Sequence, residues 1–136
     1  PETRPISRDE FKSIAEEAIE QLTARAEAAT KQALPRDYCF SWLAGDEIVA
    51  EGDVADFLVD LTWVDDTHIS PCFDLFLESV RDDGRVQLRG YRACYEPRMF
   101  GDHVTYQTDG HDAGRVGPFK LGMGNFLKNF EDATKA

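Results

Sequence analysis

The chain has 136 residues, three of them cysteine, and a formal net charge of −11. That length suits one domain spanning residues 1–136, with a core large enough to need no disulfide or metal staple. No run approaches a membrane span and the first residues lack a signal-peptide core. The acidity argues against nucleic-acid or anionic-membrane partners, so a cytoplasmic protein is expected.

The charge is unevenly placed. From Asp37 to Val80, 44 residues without a Lys or Arg hold eleven acids, while the rest of the chain balances 15 acids against 15 bases. The entire excess therefore belongs to one third of the sequence.

Taken in order, Pro5-Ile6-Ser7-Arg8-Asp9-Glu10-Phe11 reads as a helix start. Ser7 serves as cap, Glu10 completes a capping box, and Ile6 with Phe11 forms a hydrophobic staple. Phe11, Ile14, Ala15, Ala18, Ile19, Leu22 and Ala26 recur at helical spacing, which predicts a long amphipathic helix ending near Ala33, before Pro35. Its Ala-rich second half has little to bury and is expected to project as a solvated end. Asp37–Ala44 and Glu47–Glu51 then read as two paired strands around Gly45-Asp46.

Asp53 caps a second helix in which Val54, Phe57, Leu58, Leu61 and Val64 form one apolar stripe. Asp53, Asp56 and Asp60 share another face, with Asp65 and Asp66 at the C-terminal end, where acids oppose the helix dipole. A basic partner would relieve that placement.

Pro71–Tyr95 reads as a β-hairpin around Asp82-Asp83-Gly84, and its aromatic and branched residues make it the expected centre of the sheet. A two-residue turn at Asp83-Gly84 pairs Glu78 with Arg89, Phe76 with Tyr91 and Leu75 with Arg92. Phe73, Leu75, Leu77, Val86 and Leu88 then share one face. A three-residue loop with Gly84 as a bulge instead pairs Asp74 with Arg92, Phe76 with Gly90 and Cys72 with Cys94. The first register is preferred. Beyond it lie a turn-rich stretch from Glu96, a short strand His103–Thr108, and a polar loop to Arg115. Val116–Leu121 follows as an edge strand because of Pro118, and Asn125–Ala133 as a C-terminal helix.

The resulting expectation is an α+β domain with a mainly antiparallel five- or six-stranded sheet. It has a long N-terminal helix, a short acidic helix between two hairpins, and a C-terminal helix. The odd count of Cys39, Cys72 and Cys94, without C-x-x-C spacing, favours reduced thiols.

No catalytic signature is present. Asp65-Asp66-Thr67-His68, Asp102-His103 and His111-Asp112 match no metal-ligand spacing, so no metal and no cofactor are expected. Cys94 with a His and an Asp, or Ser41 or Ser79, meets only the compositional requirement for nucleophilic catalysis and lacks a nucleophile elbow. Gly122-Met123-Gly124 is not a full phosphate loop.

Two functional expectations remain. The first is a non-catalytic binding module, similar in charge and size to immunity proteins and inhibitors, presenting Asp46, Glu47, Asp53, Asp56, Asp60, Asp65 and Asp66 to a basic protein. The second is a small-molecule anion site, or a small enzyme, around Arg92, Tyr95, Arg98, His103 and His111, since a buried guanidinium needs a partner. Homodimerisation through the first helix or an exposed edge strand is a third route.

Overall fold

The computed structural model describes residues 5–42, 47–65, 68–69, 73–92 and 114–134. Helix α1 runs Arg8–Thr30. The Ser7 hydroxyl accepts from the Glu10 N–H at 3.1 Å, so the expected cap is in place. The helix stops three residues short of Ala33 because Lys31 turns left-handed, with φ 57°, and gives its N–H to the Glu27 carbonyl.

The second half of α1 does not project freely. Arg36 returns to bond Glu20 and Glu27, and the Leu34 N–H donates to Glu27 at 2.7 Å. The Tyr38 hydroxyl meets Thr23 at 2.8 Å. Arg36 foremost, then the Leu34 N–H, hold the Glu27 carboxyl down at about 2. Burial raises the Tyr38 phenol, and its bond to Thr23 partly offsets that.

Strands β1 (Tyr38–Trp42), β2 (Ile48–Glu51), β5 (Phe73–Val80), β6 (Val86–Arg92), β7 (Gly114–Val116) and β8 (Phe119–Gly122) form one six-stranded sheet. Its order is β2-β1-β6-β5-β8-β7. Between β2 and β5 come helix α2 (Val54–Thr62) and a separate ribbon of β3 (Trp63–Asp65) with β4 (His68–Ile69). Helix α3 (Phe126–Thr134) closes the fold.

The sheet is mixed rather than mainly antiparallel. Three antiparallel hairpins lie side by side, and two parallel seams join them, β1 with β6 and β5 with β8. A turn fixes the direction of strands within a hairpin. The crossover that brings the next hairpin home decides how the two abut, and here it returns the chain in the same sense. The central position expected for the long hairpin is observed.

One sheet face meets all three helices. Phe40, Phe73, Leu75, Leu77, Val86, Leu88, Phe119 and Leu121 are buried there, together with Ile6 and the predicted stripe of α1. Each such side chain, moved out of water, contributes about 1.5–3 kcal/mol, which sets the face that turns inward. Gly90 lets the Phe40 ring lie across β6: a Cβ there would meet ring carbons at 2.6 and 2.8 Å.

Three further expectations need correction. Helix α2 ends at Thr62, because Trp63 turns extended (φ −84°, ψ 123°) and its indole donates to the Ile6 carbonyl. Val64 is thus exposed in β3, and the buried face of α2 is Val54, Ala55, Leu58, Val59 and Thr62, with Phe57 and Leu61 half-buried on its flank. Second, Val116–Leu121 is not one edge strand. Pro118 and Gly117, at φ 58°, sit in a turn, leaving β7 at the edge and β8 inside the sheet.

Third, the preferred hairpin register is absent from the ladder, and the alternative holds only next to the loop. Beside the Asp82-Asp83-Gly84 loop, Val80 pairs with Val86 and Ser79 with Gln87, as the three-residue loop requires. A bulge at Glu78 then shifts the ladder, so Leu77 pairs with Leu88, Phe76 with Arg89 and Phe73 with Arg92. The cross-strand contacts expected from the first register still form: Arg89 bonds Glu78 at 2.5 and 3.3 Å, and Phe76 stacks on Tyr91 at 5.6 Å.

Candidate functional site

Two polar surfaces rise from this frame. The first is built on α2. Asp53 caps the helix by accepting the Asp56 N–H at 3.2 Å, and one turn later Asp60 emerges on the same side. Two bases from the polar side of α1 reach this row. Lys12 lies 3.0 Å from Asp53 and 3.3 Å from Asp56, while Arg8 bonds Asp60 and lies 3.9 Å from Asp56.

The acids are the more exposed partners. The acid side chains are 47–64% exposed, against 28% for Lys12 and 41% for Arg8. The bond from Lys12 and the Asp56 N–H lower the Asp53 carboxyl, and Asp53, then Asp56, raise the Lys12 ammonium. Such solvated pairs hold about 0–1 kcal/mol each, so an incoming base can share them.

Glu47 precedes the adjoining edge strand β2 and Glu51 ends it, where Glu51 bonds Arg85, and Arg85 also lies 3.3 Å from Asp37. That contact with Glu51 comes first in raising the Arg85 guanidinium. Asp65 sits in β3, not on the helix, so its expected opposition to the helix dipole does not arise.

The second surface is the sheet face that carries no helix among the described residues. Ser41, Ile48, Glu78, Ser79, Arg81, Gln87 and Arg89, drawn from β1, β2, β5, β6 and the central loop, line a depression of about 360 Å³. Gln87 organises its floor. Its amide donates to Ser41 Oγ at 3.2 Å and to the Leu88 carbonyl at 2.7 Å, and its oxygen accepts from the buried Cys39 thiol at 3.2 Å. Arg81 Nη1 points to that sulfur at 3.6 Å, and Nη2 lies 3.1 Å from Asp83.

Sequence reasoning placed Asp53, Asp56 and Asp60 together correctly. It did not foresee Arg8 and Lys12 among them, although their spacing of four on a helix put both on one face. It also passed over Gln87 and Arg81, which carry no motif and gain meaning only once β1 lies beside β6. Asp46, Asp66, Tyr95, Arg98, His103 and His111 lie outside the described residues. Arg92 belongs to β6 and falls opposite Phe73, not Asp74. No helix among the described residues is long and apolar enough to cross a membrane.

The chain was compared with protein families, curated proteins and solved structures, and none matches it.

Proposed function

We propose that the protein is a non-catalytic binding module whose α2 surface, with the neighbouring acids of β2 and β3, docks a basic protein. One observation carries this reading: Asp53, Asp56 and Asp60 form a row more exposed than the bases that pair with it. Oxygen lone pairs on that row remain open to a partner's Lys or Arg. The net charge of −11 adds long-range attraction that speeds encounter. Arg8 and Lys12 reduce the local field, so recognition rests on close pairing as well as on steering.

The test compares two triple reversals of equal charge. Asp56→Lys, Asp60→Lys and Asp65→Lys alter the proposed surface. Glu16→Lys, Glu17→Lys and Asp132→Lys alter exposed acids of α1 and α3. Association with an immobilised Lys-rich peptide is measured at low and moderate salt, after circular dichroism confirms folding. The first variant is expected to slow association at least tenfold more than the second. Equal losses would show that net charge alone drives binding and would overturn the reading.

A further inference from the structure

The depression on the sheet face that carries no helix among the described residues differs from the acidic α2 surface in what its side chains offer. Arg89 is committed to Glu78 through Nε and Nη2, which leaves that carboxylate matched. Arg81 is held more weakly. One arm rests on a thiol sulfur at 3.6 Å, a poor acceptor, and the other on Asp83, a half-exposed side chain of the loop.

Ser41 accepts from Gln87, so its own hydroxyl hydrogen is not used in that bond, and the Ser79 hydroxyl has no hydrogen-bond partner among the described residues. The Gln87 amide spends its N–H donors on Ser41 and the Leu88 carbonyl, and its oxygen takes the Cys39 thiol. Arg81, Ser41 and Ser79 thus bring donors to these walls, and a volume of about 360 Å³ admits a small molecule.

We infer that this depression is an oxyanion-binding site. The Arg81 guanidinium and the Ser41 and Ser79 hydroxyls donate to a small carboxylate or phosphate, and Arg89, fixed by Glu78, flanks it. An oxyanion would draw Arg81 Nη1 from sulfur to oxygen, a stronger charge-assisted contact. Binding here does not depend on the acidic α2 surface.

Malonate and inorganic phosphate serve as probes, with glucose as an uncharged control, followed by amide chemical shifts of the folded protein. At least one anion is expected to saturate shifts at Ser41, Ser79, Arg81 and Gln87 in the millimolar range, and glucose to leave them unmoved. Which anion binds more tightly separates the carboxylate from the phosphate form of the site. Arg81→Gln should weaken binding at least tenfold and Ser79→Ala about threefold, while Lys128→Gln, at an exposed position of α3, should leave it unchanged. Absence of saturable shifts with either anion, equal shifts with glucose, or unaltered affinity in Arg81→Gln and Ser79→Ala would overturn the inference. If Arg81→Gln fails to fold, the Ser79→Ala result decides alone.

Discussion

Substituting Gly90 by Ala tests the parallel seam between β1 and β6. In an ordinary strand interior this change removes a flexible residue and gains about 0.5–1 kcal/mol. Here the new methyl would stand 2.6 Å from Phe40 Cζ and 2.8 Å from Cε1. Phe40 is fully buried and lies against Phe57 with ring centroids 6.0 Å apart, so it has no solvent side into which to swing. Overpacking of this kind costs about 1–3 kcal/mol. At about 4 °C per kcal/mol for a domain of this size, the melting midpoint should fall by about 4–12 °C.

The companion variant Phe40→Leu removes the ring, and Gly90→Ala in that background should recover at least about 1 kcal/mol relative to the sum of the single changes. Thermal unfolding of the four proteins of this cycle measures the coupling. A rise in melting temperature for Gly90→Ala, or simple additivity, would show that Phe40 does not cross β6 and that the parallel seam is misplaced.

The Glu27 carboxyl supplies a pH signature. Its folded value of about 2 lies below the ordinary 4.5, so its contribution is complete above about 4.5 and is lost as pH falls from there through about 2. Urea unfolding of wild type and Glu27→Gln should show a stability gap at pH 6 that narrows steadily towards pH 2; a gap constant over that range would refute the assignment. Lys31 holds a left-handed conformation without a glycine's freedom, so Lys31→Gly should stabilise by about 0.5–1 kcal/mol in chemical denaturation. A loss of stability there would mean that the helix does not end in that geometry.

Much of the fold was legible because local chemistry decides it. Ser7, Ile6 and Phe11 announce the start of α1, and the alternation in Phe73, Leu75, Leu77 and Leu88 announces the inward face of the central hairpin. The parallel seams were not legible, since no residue pattern within a hairpin says which neighbour it will meet. The bulge at Glu78 escaped for a related reason: it moves the ladder by one residue while leaving Glu78 near Arg89 and Phe76 near Tyr91, so the favourable contacts fit both registers. The acids of α2 were visible as a group, but the bases that pair with them come from a helix some forty residues earlier.

On the proposed function, the α2 acids form the face at which a basic partner docks. Titrating the isotopically labelled protein with a Lys-rich peptide, and following every backbone amide, tests it most directly. Saturable shifts are expected at residues 53–60 that spread to β2 and β3, fade as salt rises, and leave Glu16, Glu17 and Asp132 in place. Shifts distributed evenly over all exposed acids, or concentrated away from α2, would contradict it.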